Sequence, residues 1–255
     1  MHAKIPPIFV SHGIPDLALD EVHGGELAQW AKTLPRPRGI LVVSAFWRAA
    51  TPTRGVTRGG ILGETVVNGA ADVRYEAPAA SELAYDLATV LPVEREERGW
   101  DHGVWSPVRF MYPEANIPVL QLSLVQGASP RRLFGIGRRL GTLAERGHLV
   151  VGSGAITYNT GDLAPDRNAP PREYARAFDA WVTNLLADAA IDELLGWRTN
   201  APDPRLAHPE PGHLDPLFVV AGAASLYEHA VGFPIRGFDH GTVSRRCVQL
   251  GRPPT

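Results

Sequence analysis

Hydrophobic runs alternate with amphipathic stretches along this chain. Apolar runs rich in β-branched and aliphatic residues are typical of strands buried in a sheet, and they occupy residues 8–11, 39–47, 117–124 and 148–154. Apolar residues at helical spacing predict helices, and these patterns lie in the second half of residues 16–34 and in residues 77–91, 130–146 and 174–190. The alternation predicts one α/β domain over residues 1–255, with a central, mostly parallel or mixed sheet covered by helices on both faces.

Other segments have weaker patterns. Residues 48–75 are rich in Gly, Thr and Arg, which predicts a long loop with at most a short strand or hairpin. Residues 99–107 hold two tryptophans and a histidine between glycines, which indicates a rigid aromatic loop. We also expect a brief strand at residues 92–95, a short helix within 191–199 and a closing strand within 235–250.

Composition narrows the functional classes. The formal net charge of -2 gives no electrostatic reason to expect nucleic acid or an anionic membrane as a partner. Cys247 is the single cysteine, so the chain cannot form an internal disulfide or a Cys-type zinc site. No apolar run approaches the length of a membrane span, and residues 1–7 lack the apolar core of a signal peptide. We therefore expect a cytoplasmic protein.

Four histidines lie in turn-like surroundings bounded by Gly or Pro: His12, His102, His213 and His240. His12 follows the first strand directly and precedes Gly13. Ligands of open α/β sheets bind beyond the carboxyl ends of the strands, so His12 is either a site residue or a residue that hydrogen-bonds the turn. Convergence of the four imidazoles would create a metal site or an acid–base site. Arg245, Arg246 and the other scattered basic residues are interpreted as solvated charges.

Six motifs that occur in order over nearly the full length resemble those of the class III extradiol ring-cleavage dioxygenases, in particular the single-chain DOPA-dioxygenase branch. They are Ser11-His12-Gly13-x-Pro15, Val42-Val43-Ser44-Ala45-x-Trp47, Trp100-Asp101-His102-Gly103-x-Trp105, the stretch from Met111-Tyr112-Pro113 to Gln121-Leu122-Ser123, Gly152-Ser153-Gly154, and His208-Pro209-x-x-x-His213.

The resemblance implies a non-haem metal, Fe(2+) or Zn(2+), that is chelated by a catechol in a crevice. It assigns His12 and His213 as metal ligands and His102 to the aromatic wall of the site. We assign catalytic roles to His102, Tyr158 and His240, and we place four residues in the substrate pocket. These are Phe46, Trp47, Trp105 and Asn159.

Two positions depart from the pattern of the family. Phe46 stands where the family has a metal-binding histidine, and Tyr158 stands where it has a histidine proposed for acid–base chemistry. Phenylalanine has no lone pair to donate, so the implied metal shell is incomplete unless His240 or Asp101 supplies the third ligand. Tyr158 is a further candidate, as a phenol ligand or general acid. The long loop also lacks the family's Phe-Gly-Phe-Pro element and carries residues 60–64 in its place.

Three hypotheses follow from these residues. The first is an extradiol-dioxygenase-like enzyme that acts on a catecholic or related small aromatic substrate with an altered metal site. The second is a metal-independent enzyme of lyase, isomerase or hydrolase type, for instance in specialised metabolism, that uses His and Tyr for acid–base chemistry. The third is a non-catalytic binding subunit. The sequence leaves the oligomeric state open, with a homodimer as one option.

Overall fold

A computed structural model of the chain describes residues 4–14, 20–56, 75–210 and 212–251. Over these residues, eight strands form one mixed sheet in the order β4-β3-β5-β2-β6-β1-β10-β7, and β8 pairs with β9 separately. The strands are β1 Ile8–Ser11, β2 Gly39–Ala49, β3 Thr53–Val56, β4 Glu94–Glu97, β5 Val119–Val125, β6 His148–Gly154, β7 Val231–Gly232, β8 Phe238–Asp239, β9 Val243–Ser244 and β10 Val248–Leu250.

Helices cover both faces of the sheet, so the predicted α/β architecture is confirmed. One core packs under α1 and α3, and the other packs under α2, α4, α5 and α9. The helices are α1 Glu21–Ala31, α2 Ser81–Val90, α3 His102–Met111, α4 Pro130–Glu145, α5 Glu173–Ala187, α6 Ile191–Leu195, α7 Trp197–Asn200, α8 Pro204–Ala207 and α9 Asp215–Ala224. A helix long and apolar enough to cross a membrane is not found among the residues that the structure describes.

The central strands β5, β2, β6 and β1 run parallel, which brings their carboxyl ends to one edge of the sheet. Ser11 at the end of β1 pairs with Gly154 at the end of β6, and Ser44 in β2 pairs with Ser153. The segments that leave these strands therefore start side by side. This is the edge at which open α/β sheets bind ligands.

Helices α4 and α9 pack against each other at very close range. A Cβ atom at Gly137 would lie 2.0 Å from the carbonyl oxygen of Val219, and one at Gly222 would lie 2.1 Å from the carbonyl oxygen of Phe134. Only glycine permits this backbone approach. The packing fixes α9, whose first residue comes two positions after His213.

Some predicted elements were wrong. The expected aromatic loop at residues 99–107 is mostly helix α3, even though Pro107 lies inside it. Nearly all of its side chains are buried, so tertiary packing outweighs the local signal of glycine and proline. Within the expected long loop, β2 continues to Ala49 and β3 follows, whereas residues 57–74, including the 60–64 stretch, lie outside the described residues. The expected closing strand, by contrast, is present at the end of its segment as β10, which pairs with β1, and the short strands β8 and β9 precede it.

Candidate functional site

His12 is held at the end of β1 by backbone and side-chain hydrogen bonds. Its backbone N–H donates to the carbonyl oxygen of Gly154 at 3.0 Å, and Gly13 turns the chain with φ +63°, a conformation that favours glycine. The ring is fully buried, and Nδ1 is hydrogen-bonded to Ser153 Oγ at 3.1 Å. Nε2 has no hydrogen-bond partner among the residues that the structure describes. With Nδ1 as the donor, Nε2 carries a free lone pair in the neutral imidazole.

Phe46 and His102 form the neighbouring wall. Their ring centroids lie 4.0 Å apart, and the Phe46 side chain is 38% exposed, whereas His102 is buried. A Cβ atom at Gly103 would lie 2.5 Å from Ser44 Oγ and 3.1 Å from Phe46 Cδ2, so glycine is needed for α3 to approach β2. Asp101, just before α3, accepts hydrogen bonds from Ser44 Oγ at 2.7 Å and from Gln121 Nε2. These bonds fix the start of the helix that carries His102.

Tyr158 and His213 form the opposite wall as a stacked pair. Their ring centroids lie 3.6 Å apart with an interplanar angle of 8°. The pairing is set by the backbone, because the Ala155 N–H donates to the His213 carbonyl oxygen at 3.0 Å and the Tyr158 N–H donates to that of Ala207 at 2.9 Å. His208 Nε2 is hydrogen-bonded to the Ile156 carbonyl oxygen at 2.7 Å. The segments carrying Tyr158 and His213 are therefore tied together.

The rings of four of these residues surround a common centre. The His12 centroid lies 4.8 Å from Phe46, 5.4 Å from His213 and 5.8 Å from His102, and Phe46 lies 5.2 Å from His213. Tyr158 lies 6.3 Å from His12. The Nε2 atoms of His102 and His213 are buried and, like that of His12, have no hydrogen-bond partner within the described part of the chain. We call these five residues the histidine pocket.

The imidazoles of the histidine pocket are kept neutral. Burial, followed by the charges of His208, His102 and Arg48, lowers the pKa of His213 to about 3. Burial lowers the pKa of His12 well below its usual value, with further contributions from His213 and His102, and burial also lowers the pKa of His102. The pKa of Tyr158 is raised, chiefly by burial. Its phenol stays protonated at neutral pH, so it can donate a proton but is a poor phenolate ligand.

The residues of the pocket do not fit the three-ligand metal centre that the resemblance implies. The phenyl ring of Phe46 lies between His12, His102 and His213 and has no lone pair to offer. Across the described ranges, no group of three or more His, Cys, Asp or Glu side chains is arranged to hold a metal ion. His12 and His213 alone supply fewer ligands than a facial or tetrahedral site requires.

The other predicted site residues have separate surroundings. His240 follows β8 and has a φ of 50°. Its Nδ1 is hydrogen-bonded to the Ala164 carbonyl oxygen at 2.7 Å, and no ring contact joins it to the described residues of the histidine pocket.

The three predicted pocket residues Asn159, Trp47 and Trp105 have partners of their own or are buried. Asn159 donates to the Leu206 carbonyl oxygen and accepts from the Gly161 N–H. Trp47 lies beneath the Arg98 guanidinium, 4.3 Å from the ring. Trp105 is buried, with no hydrogen-bond partner for Nε1.

The sequence analysis missed several contributors. Gly154 is needed at the end of β6, because a Cβ atom there would lie 2.1 Å from the His213 carbonyl oxygen. Gln121 carries a detectable signal, since it is a polar residue within an apolar strand. The interpretation of Arg246 as a solvated charge was wrong, because its guanidinium contacts both carboxylate oxygens of buried Asp179.

Comparisons with known proteins place the chain in a family. The chain is 34% identical over 235 residues to a 4,5-DOPA dioxygenase extradiol of Beta vulgaris, with 85% of each protein covered. It is 31% identical to the 4,5-DOPA dioxygenase extradiol of Escherichia coli K12, with 97% of this chain and 95% of the relative covered. The crystal structure of an uncharacterized protein from Escherichia coli K12 superposes with a TM-score of 0.80 at 30% identity, covering 97% of this chain and 100% of the other. Because residues 15–242 match the family model described as the catalytic LigB subunit of aromatic ring-opening dioxygenase, the chain belongs to that family.

Proposed function

We propose that the protein is an enzyme that binds a catechol or a related small phenol in the histidine pocket and moves protons on it without a three-ligand metal centre. The observation that carries the proposal is that the imidazoles of His12, His102 and His213 pack around the ring of Phe46, each with a buried Nε2 atom that has no hydrogen-bond partner among the described residues. Buried polar atoms without partners are costly, so a ligand with hydroxyl groups would stabilise them.

The chemistry of these groups supports proton transfer. A neutral imidazole accepts a hydrogen bond from a phenol hydroxyl and takes up its proton because the negative charge left on the bound phenolate raises the pKa of the imidazole beside it, and the protonated hydroxyl of Tyr158 returns a proton to the substrate. The two steps leave the number of protons and electrons on the substrate unchanged, so the reaction is an isomerisation or a non-oxidative bond cleavage. Phe46 offers an apolar surface on which the aromatic ring of the ligand can pack.

A second candidate function is ring-opening oxygenation with an altered metal site. Membership of the dioxygenase family favours it, as does the 5.4 Å separation of the His12 and His213 rings, whose Nε2 atoms are both unpartnered. The enzymes of this family typically use a non-haem metal. The absence of a ligand atom on Phe46 is the reason that we place this function second.

Binding of 4-nitrocatechol to chelator-treated protein tests the proposal. The visible absorption of this compound changes when its hydroxyl group loses a proton, so one titration reports both binding and proton transfer. We expect a saturable spectral shift without added metal, and we expect His102→Gln to weaken it. His229→Gln is the control, because His229 is exposed and contacts only the Ala187 carbonyl oxygen among the residues described.

Two results would decide against the proposal. One is binding that appears only after iron or zinc is added. The other is uptake of oxygen with catechol that requires iron and is abolished by His213→Ala, which would support the second candidate. An unchanged spectral shift in the His102→Gln variant would remove that residue from the proposed proton-transfer group.

A further inference from the structure

We infer that Asp179, a buried carboxylate in α5, is a positioning residue of the histidine pocket. It acts through Ser244 in β9, which is tied both to the end of β1 before His12 and to the turn before Tyr158. Asp179 and Ser244 lie outside the six motifs of the family resemblance. The inference rests on the proposed function for its effect on the ligand, whereas the placement of the two rings can be tested without one.

Ser244 joins the two walls of the pocket through its backbone. Its carbonyl oxygen accepts a hydrogen bond from Ser11 Oγ at 2.6 Å, and Ser11 immediately precedes His12. Its N–H donates to the carbonyl oxygen and to Oγ1 of Thr157, both at 3.1 Å, and Thr157 immediately precedes Tyr158. This fully buried residue therefore links the segments that carry the two rings, whose centroids lie 6.3 Å apart.

The chain just before Ser244 adds two bonds on the Tyr158 side. The carbonyl oxygen of Thr242 accepts from Thr157 Oγ1 at 2.8 Å, and Thr242 Oγ1 donates to the carbonyl oxygen of Asn159 at 2.9 Å. The backbone on both sides of Tyr158 is thus tied to the segment that contains β9. A displacement of this segment would move the phenol relative to the end of β1.

Asp179 fixes the side chain of Ser244. Oδ1 accepts from Ser244 Oγ at 2.7 Å, and the Arg246 guanidinium donates to both carboxylate oxygens, from Nε at 3.0 and 2.9 Å and from Nη2 at 2.5 Å. The backbone N–H of Arg246 donates to Ser244 Oγ at 3.2 Å. A planar guanidinium sets the plane of the carboxylate that it binds, so Oδ1 is held toward the serine hydroxyl. All three polar atoms of Ser244 are therefore hydrogen-bonded.

The burial of this ion pair favours a role in positioning over a gain in stability. The side chains of Arg246 and Asp179 are 14% and 4% exposed, and the cost of desolvation offsets much of the attraction between buried charges. The pair serves instead to specify one arrangement of Ser244. Such precision matters for proton transfer, because a displacement of about 1 Å between reacting groups can cost about a hundredfold in rate.

NMR of the histidine side chains in the chelator-treated full chain tests the placement. His12 reports on the end of β1, and His213 reports on the Tyr158 segment because their rings are stacked. We expect Asp179→Asn to shift the imidazole signals of both histidines. The affinity for 4-nitrocatechol, measured from its spectral shift, should fall about tenfold, which is the effect of losing one hydrogen bond to a charged group.

Asp86→Asn is the matched control, because Asp86 also pairs with an arginine but lies at the opposite edge of the sheet. Its carboxylate accepts from Arg146 Nη1 at 2.7 Å and is hydrogen-bonded to Nε2 of His148, the first residue of β6, at 2.9 Å. This variant should shift the signals of His148. It should leave the signals of His12 and His213 and the affinity for 4-nitrocatechol unchanged.

Ser244→Ala keeps the test decisive if Asp179→Asn, which leaves Arg246 without its partner, fails to fold. It removes the hydroxyl that contacts Asp179 and keeps the ion pair, so it should reproduce the shifts and the loss of affinity. The double variant Asp179→Asn/Ser244→Ala should bind 4-nitrocatechol about as weakly as the weaker single variant, because both changes break the same connection. Additive losses would refute action through Ser244.

The other outcomes separate this inference from the proposed function. Unchanged His12 and His213 signals in the folded variants refute the positioning role, as do equal shifts of these signals in Asp86→Asn. Shifted signals with unchanged affinity also refute it, because the displacement would then not affect the ligand. If the wild type does not bind 4-nitrocatechol, the proposed function fails, and the NMR signals alone decide whether Asp179 positions the rings.

Discussion

Replacing Phe46 with histidine should create a zinc site. With Zn–N distances of about 2.0 Å, three imidazole rings in a tetrahedral arrangement have centroids about 5.2 Å from one another. The centroids of His12, Phe46 and His213 are separated by 4.8, 5.2 and 5.4 Å, which is close to this triangle. The Nε2 atoms of both histidines have no hydrogen-bond partner among the described residues. Phe46 is 38% exposed, so the fold tolerates a polar ring at this position better than at a fully buried one.

The size of the effect can be estimated by mass action. Zinc at about a hundredfold excess over its dissociation constant stabilises the folded state by about 3 kcal/mol. For a domain of this size, that corresponds to a rise in melting temperature of about 5 to 10 °C. We expect Phe46→His to show this rise when zinc is added. The wild type, with two ligands, should change far less at the same zinc concentration.

Zinc titration against a competing chelator, together with thermal unfolding, measures both quantities. The control is the double variant Phe46→His/His12→Ala, which has only two of the three intended zinc ligands, as the wild type does, and should lose the gain. If folded Phe46→His protein binds zinc no more tightly than the wild type, the geometric reasoning is refuted. The side chains would then be unable to converge on one ion despite their ring spacing.

Three further predictions concern proton transfer, pH and packing. Tyr158→Phe keeps the ring that stacks on His213 but loses the hydroxyl. Turnover should therefore fall at least tenfold with little change in ligand affinity. Equal losses of turnover and of ligand affinity would contradict a role as proton donor. Burial lowers the pKa of His208 to about 4, so the folded protein resists a proton that the unfolded chain accepts below about 6.5, and this group alone should lower the free energy of unfolding by about 2 kcal/mol at pH 5. The buried imidazoles of the histidine pocket add to the drop. Urea unfolding at pH 7.5 and pH 5 measures this drop, which should shrink in His208→Asn. Gly137→Ala should destabilise the fold by about 1–3 kcal/mol, because its Cβ atom would lie 2.0 Å from the carbonyl oxygen of Val219. Gly135→Ala is the control in the same helix, since its Cβ atom meets open space and the change should be neutral or stabilising. Similar unfolding midpoints for the two variants would refute the packing argument.

Much of the fold could be predicted because its strands carry their signal locally. The apolar runs at residues 39–47 and 148–154 are buried on both faces of the sheet, and their sequences reflect this directly. Helix α3 could not be predicted in this way. Gly103 and Pro107 normally interrupt helices, and the helix forms because its side chains fill the space between β2 and α1.

The site was predictable only in part, for a related reason. His12 follows a strand, so its place at the carboxyl edge could be inferred from its neighbours in sequence. The stacking of Tyr158 on His213 joins residues far apart in the chain and depends on backbone hydrogen bonds that no local pattern encodes. The sequence around Arg48 is that of an ordinary solvated arginine, because its neighbours Gly212 and Asp215 come from a distant part of the chain. The spacing and composition of residues do not predict such long-range contacts.

The pairing of β1 has a consequence for the order in which the protein can fold during synthesis. Strand β1, which directly precedes His12, is made before the other strands of the sheet, yet its two sheet neighbours are β6, at His148–Gly154, and β10, at Val248–Leu250. Neither edge of β1 can be paired as in the folded protein until β6 has been synthesised. Contacts over such sequence distances slow folding and leave apolar segments exposed in the nascent chain. The apolar strand β1 therefore waits unpaired while the strands and helices between it and β6 are made.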